Sequence, residues 1–119
     1  MLTLTLPYPP SVNAMWRSPR SGPLAGRTLM SKEGRQYRED ACRAVGDRLW
    51  QPLKERLRVD IEARMPDRRR RDVDNVPKAV LDALSHAGVW LDDSQIDDLR
   101  VWRSEQRTGE VIVTIEVIA

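Results

Sequence analysis

The sequence predicts an α+β protein, a mixed sheet with helices packed on it, in the order β-α-β-α-β-β. Three observations predict it. Apolar and polar residues alternate with period two over residues 2–6, 57–65 and 111–117. Apolar residues at helical spacing fill residues 37–49 and 76–87 between those runs. The chain has 119 residues, 40% of them apolar, enough for one core but not two. One domain over 1–119 is expected, with no internal repeat and no linker.

The elements follow in order. Leu2, Leu4 and Leu6 alternate with Thr3 and Thr5, a half-buried strand. Pro7, Pro9 and Pro10 end it, since proline has no N–H for a ladder. Residues 11–30 show no period and read as a long loop, a kind that is often functional. Ser31 is placed to cap a helix whose apolar positions are Tyr37, Ala41, Ala44, Val45 and Leu49. Gly34 and Gly46 weaken that period without cancelling it, and Pro52 closes the segment. Leu57, Val59, Ile61, Ala63 and Met65 make the clearest strand, stopped by Pro66. Asp74 can cap a helix with the stripe Val76, Val80, Ala83, Leu84 and Ala87. Pro77 falls in its first turn, where a missing N–H costs little, and Gly88 suits its C-terminus. Leu99 and Val101 mark another strand. Thr108-Gly109 is a turn before Val111, Val113, Ile115 and Val117.

Composition narrows the function classes. No run approaches the ~18 apolar residues of a membrane span. The opening MLTLTLPYPP lacks a basic start and is broken by prolines, so no signal peptide is expected. One cysteine and one histidine exclude an internal disulfide and zinc sites built on several Cys and His ligands. A reduced, cytoplasmic protein is the expectation. The net charge of +2 hides an asymmetry. Residues 1–71 carry 16 basic and 8 acidic side chains; residues 72–119 carry 4 and 10. The switch is abrupt, at Arg68-Arg69-Arg70-Arg71-Asp72-Val73-Asp74. That pattern suggests a polyanionic partner.

The acidic side of the switch carries the candidate chemistry. In extended backbone Asp72 and Asp74 project to one side. Asp92-Asp93 and Asp97-Asp98 follow the helix and can return towards them. Close carboxylates repel, and a hard dication such as Mg²⁺, which prefers oxygen ligands, relieves the repulsion. Beside a basic patch such an ion suits phosphoryl chemistry. Lys78 lies one helical turn after Asp74, where an ammonium can neutralise charge building on a phosphate. Plainer readings stand beside these. Asp74 can be only a cap, Lys78 and Asp82 a surface ion pair at i, i+4, and residues 92–98 a solvated acidic turn. His86 sits at a helix end favoured for a cation. Cys42 reads as a packed small hydrophobe, and Trp90 and Trp102 as core. Trp16, beside Arg17 and Arg20, either stacks on an unpaired base or pins its loop.

Taken together, these residues resemble the RusA family of Holliday junction resolvases, small endodeoxyribonucleases often carried by prophages. The opening Leu6-Pro7-Tyr8-Pro9-Pro10-Ser11-Val12-Asn13 is similar to the family's proline-rich start. The block Met65-Pro66-Asp67-Arg68-Arg69-Arg70-Arg71-Asp72-Val73-Asp74-Asn75 resembles its most specific stretch. Lys78, Asp82-Ala83-Leu84 and Gly88-Val89-Trp90-Leu91-Asp92-Asp93-Ser94-Gln95 continue the match in order. The resemblance implies a homodimer that binds four-way junctions and nicks two strands symmetrically with Mg²⁺ or Mn²⁺. It implies metal-binding catalytic carboxylates at Asp72, Asp74 and Asp93, an essential Lys78, and a supporting Asp92. Arg71 matches a family arginine placed to hold DNA, and Arg17, Arg68, Arg69 and Arg70 are expected as further DNA contacts. The loop 14–28 is longer than the family pattern, and Gly22-Pro23 and Gly26 have no counterpart in it. Two rival classes remain. A non-catalytic DNA-binding module would keep the arginines but has no need of the three aspartates. A hydrolase of small nucleotides would need a nucleotide pocket. No Gly-rich phosphate loop is present, so no nucleotide cofactor is expected.

Overall fold

The computed structural model describes residues 1–118; Ala119, the last residue of the expected span, lies outside the described residues. In chain order the elements are β1 (Leu2–Pro7), α1 (Val12–Met15), β2 (Trp16–Arg17), β3 (Leu29–Met30), α2 (Lys32–Val45), β4 (Arg56–Arg64), α3 (Val76–His86), β5 (Ile96–Arg103) and β6 (Glu110–Ile118). Single 3₁₀ turns, Val73–Asn75 and Asp93–Gln95, precede α3 and β5. The long strands form one mixed sheet in the order β1-β6-β4-β5. β6 runs antiparallel to both β1 and β4, while β4 and β5 are parallel. A parallel pair needs a crossover, and α3 supplies it.

The alternation seen in sequence becomes a division of faces. Leu4 and Leu6, Leu57, Val59, Ile61 and Ala63, and Val111, Val113 and Ile115 point to one side and are buried. Onto that side α2 lays Tyr37, Ala41 and Val45, and α3 lays Val76, Ala79, Val80, Ala83 and Leu84. Each large aliphatic side chain fully buried there contributes about 1.5–3 kcal/mol. The other face is polar and carries ion pairs such as Arg58–Asp98 and Arg64–Glu62, individually worth under about 1 kcal/mol.

Several expectations are corrected. Residues 11–30 are not one structureless loop. Ser11 caps the single turn α1 by accepting from the Ala14 N–H, and β2 pairs antiparallel with β3 through Trp16↔Met30 and Arg17↔Leu29. Ser31 holds both ends together. Its N–H donates to the Met15 carbonyl at 2.8 Å and its hydroxyl donates to the Ala14 carbonyl. It also caps α2 as expected, accepting from the Gly34 N–H at 3.0 Å. Leu49 lies outside α2, which ends at Gly46, whose φ of +57° breaks the helix. Cys42 is exposed, because it sits one residue round the helix from buried Ala41. Trp90 is core as expected, but Trp102 has the parity of the outer sheet face, where the Arg100 guanidinium lies 4.6 Å from its ring centre. Asp74 does not cap α3: the N-cap position is Asn75, whose side chain makes no capping bond.

Gly34 has a packing role that its sequence position conceals. A Cβ there would lie 2.6 Å from the Met15 carbonyl oxygen and 2.7 Å from the Met30 side chain. Gly34→Ala is therefore expected to lose about 1–3 kcal/mol of stability, by analogy with overpacked cores. Urea unfolding checks this. A gain, as helix propensity alone would give, would show that α1 does not sit this close to α2.

Candidate active site

The crossover β4-α3-β5 builds the site. β4 leads into the arginine-rich loop, the first 3₁₀ turn carries Asp74, and α3 carries Lys78 on its exposed side. The second 3₁₀ turn, with Asp93, packs back along α3, while the first touches β5. Asp72 has extended backbone (φ −94°, ψ 132°), but Asp74 already lies in the 3₁₀ turn. The two are thus not successive positions of one strand face, as the i, i+2 reading expects.

Partners separate the acidic residues that look alike in sequence. Asp82 takes two hydrogen bonds from Arg38, at 3.0 and 3.1 Å, which tie α2 to α3. It is not paired with Lys78. Asp97 is held by Arg56, and Asp98 by Arg58. The plain surface reading therefore holds for Asp97 and Asp98. Asp92 accepts from the Ser94 N–H at 3.1 Å, and bonding to Ser94 holds its carboxyl below the usual range. Asp72, Asp74 and Asp93 differ. All three are exposed, and among the described residues none of their side chains takes part in a hydrogen bond or ion pair.

The basic groups divide in the same way. Arg71 is committed to Asp67 through bonds of 3.2 and 2.9 Å, and lies 5.6 Å from the Tyr8 ring centre. The Arg71 guanidinium, helped by the Arg69 N–H, holds the Asp67 carboxyl below the usual carboxylate range. Arg68, Arg69 and Arg70 are exposed on the loop, and Arg17 is exposed on β2. Lys78 leans over Trp16, with Nζ 5.4 Å from the ring centre, a cation–π contact worth about 0.5–1 kcal/mol when exposed.

Two recesses result. A cleft of about 580 Å³ is lined by Trp16, Thr28, Lys78, Asp82, Asp92 and Asp93. A smaller one, about 190 Å³, is lined by Tyr8, Ser11, Arg70, Arg71, Asp72 and Asn75. The structure thus brings Lys78 and Asp93 together, and places Asp72 with Arg70 and Arg71. By kind, the donors fit a hard dication: carboxylate oxygen ligands with no competing protein partner. They are not gathered into a finished cage. Among the described residues no three acidic, His or Cys side chains converge closely enough to hold a metal ion.

Comparison with known proteins decides the family. The family model described as Endodeoxyribonuclease RusA matches residues 7–116. The chain belongs to the RusA family. Among RusA relatives, the crossover junction endodeoxyribonuclease rusA of Enterobacteria phage 82 is 48% identical over 99 residues, 82% of this chain and 78% of that protein. The crossover junction endodeoxyribonuclease RusA of Escherichia coli strain K12 is 46% identical over 100 residues, 83% of this chain and 79% of that protein. The RusA-family endodeoxyribonuclease expected from sequence is met, and so is its mixed α+β architecture. Among the described residues no helix is long and apolar enough to cross a membrane.

Sequence reasoning missed Gln95. It is the only buried polar residue among the described residues, and its side chain makes four hydrogen bonds that fix the turn carrying Asp93. The signal was present in principle: a glutamine three residues after Asp92 completes a capping box.

Proposed function

We propose that this RusA-family chain is a metal-dependent endodeoxyribonuclease that resolves four-way DNA junctions by paired symmetric nicks, acting as a homodimer in the cytoplasm. One observation supports it above the others. Asp93 shares a cleft with Lys78, Asp74 lies one helical turn before it and Asp72 lines a second recess, and these three carboxylates lack protein partners where Asp67, Asp82, Asp97 and Asp98 are taken up by arginines. Exposed carboxylates with no protein partner are open to a cation, and their oxygens suit a hard one.

In this reading Asp72, Asp74 and Asp93 would hold Mg²⁺, or Mn²⁺ in its place, once drawn together by it. A bound dication there supplies Lewis-acid polarisation of the phosphate and an acidified water. The protein's own groups do the rest. Exposed Arg17, Arg68, Arg69 and Arg70 neutralise backbone phosphates, giving salt-dependent affinity with little sequence content. Arg71, braced by Asp67 and Tyr8, presents its face at the entrance of the recess with Asp72. Lys78, steadied by Trp16, offsets negative charge on the phosphoryl oxygens as a water oxygen attacks phosphorus and the P–O bond to the leaving group breaks. Two copies related by a two-fold axis match the symmetry of two opposed strands.

The test is cleavage of an end-labelled synthetic four-way junction in Mg²⁺, with a linear duplex as control. Paired, symmetric nicks in the junction and none in the duplex are expected. Tight junction binding without cleavage in Mg²⁺ or Mn²⁺ would leave a structure-specific binding protein. Turnover of nucleoside triphosphates but not of junctions would point to a small-nucleotide hydrolase.

A further inference from the structure

We propose that a third recess, between the loop after β4 and the turn after β5, holds a DNA backbone phosphate, and that Arg103 and Arg107 are contacts to it. This rests on reading the chain as an endonuclease of branched DNA. The recess, of about 270 Å³, is lined by Asp67, Arg68, Arg69, Arg103, Glu105 and Arg107. Arg103 and Arg107 come from a segment some 35 residues beyond the arginine run, and only the parallel pairing of β4 with β5 brings them beside it. That pairing runs to Ala63↔Arg103, so both strands open their C-terminal ends into the same space.

Charge accounting singles the recess out. Elsewhere many of the arginines are matched: Arg38 by Asp82, Arg56 by Asp97, Arg58 by Asp98 and Glu116, and Arg64 by Glu62. In the recess one of the two acids, Asp67, is already occupied. Both of its oxygens take bonds from Arg71, which lies outside this lining, and one also takes the Arg69 N–H at 2.9 Å. The nearest Arg69 guanidinium nitrogen is 4.0 Å away, at the limit of an ion pair. Four guanidinium groups therefore face the single remaining carboxylate of Glu105. Arg103 donates to the Arg71 carbonyl, a neutral acceptor, which orients it without cancelling its charge. A guanidinium keeps further N–H donors in a planar fork matched to phosphate oxygens.

The walls are fixed in advance. The Ser104 N–H donates to the Ala63 carbonyl at 2.9 Å, and the Gln106 N–H to the Ser104 hydroxyl at 3.1 Å. On the other wall the Arg69 N–H closes a turn on Asp67. Prearranged donors lower the ordering cost of binding. The Arg71 carbonyl that Arg103 holds belongs to the residue immediately before Asp72. A strand gripped in this recess is thus gripped at the margin of the cleavage site, and the phosphate bound here belongs to the same backbone.

Equilibrium binding of a four-way junction in EDTA, measured from about 50 to 300 mM salt, tests this. Arg107→Ala is expected to weaken binding about tenfold at 0.1 M salt and to lower the slope of log K against log salt by about one. Arg103→Ala combined with Arg107→Ala is expected to lower it by about two. Arg48→Ala makes the same change of charge at the far end of β1, where Arg48 donates to the Thr3 carbonyl, and is expected to leave the slope alone. If the double variant does not fold, Arg107→Ala still carries the test. An Arg107→Ala slope equal to that of the parent protein overturns the recess while leaving the endonuclease reading intact, as does weaker binding at an unchanged slope. A parent protein with no salt-dependent DNA binding overturns both.

Discussion

Asp72→Asn and Asp93→Asn are each expected to lower junction cleavage by on the order of 10²–10³-fold or more while leaving thermal stability unchanged. The two halves of this result have one cause. Neither side chain makes an internal hydrogen bond or ion pair among the described residues, so its replacement breaks nothing in the fold. Asp82→Asn is the contrast. It cuts a two-bond contact with Arg38 that is only about a quarter to a third exposed, so it should cost about 0.5–1 kcal/mol and leave most of the cleavage rate. Melting curves supply a readout independent of activity. Mg²⁺ should raise the melting temperature of the parent protein, because a ligand that binds only the folded state stabilises it by mass action. In Asp93→Asn that rise should shrink or vanish. An equal rise in both proteins would remove Asp93 from the cation site.

The long regular elements were legible in the sequence for a physical reason. A strand of nine residues facing a core must alternate, and Arg56–Arg64 and Glu110–Ile118 do so. A four-residue helix and a ribbon of two-residue strands are too short to show any period. They exist because Ser31, a residue beyond them, bonds back to Ala14 and Met15. The core reading of Trp102 went against the parity of Leu99 and Val101, which puts it on the opposite face of β5. At the site, Asp72, Asp74, Lys78 and Asp93 were legible as residue types in order. Their state was not. Asp97 and Asp98 look like Asp92 and Asp93 until Arg56 and Arg58, some forty residues earlier, are placed across from them. Likewise the four arginines read as one patch in sequence, while the fold commits Arg71 to Asp67. Pairing is a tertiary fact, and Asp72, Asp74 and Asp93 are set apart from Asp82, Asp97 and Asp98 by the partner that they lack.

Gln95 carries the largest expected effect on stability and a second effect on the site. Its Oε1 accepts from the N–H groups of Leu91 and Asp92, both at 2.9 Å, and its Nε2 donates to the carbonyls of Leu53 and Glu55, at 2.9 and 3.0 Å. That uses both donors and both acceptor sites of the amide. The bonds join the end of the α3 crossover to the chain entering β4, and they sit beneath the turn that carries Asp93. Gln95→Leu keeps similar bulk but leaves two N–H and two carbonyl groups without partners. At about 1–3 kcal/mol for each buried unsatisfied group, with the groups nearest the surface reached by water, a loss of about 3–5 kcal/mol is expected in urea unfolding. Gln95→Glu keeps the acceptor but sets negative oxygen against two carbonyl oxygens. It should be destabilised at neutral pH and partly rescued as pH falls, because a protonated carboxyl can again donate to one carbonyl. Cleavage assayed well below the melting temperature should drop in both variants, by up to about 10²-fold, the scale of an ångström-sized misplacement. Loss of cleavage together with stability marks Gln95 as the support of the site, whereas Asp93→Asn loses cleavage alone. A Gln95→Leu protein with full cleavage would show that Asp93 keeps its place, or has no part in the chemistry, without this scaffold.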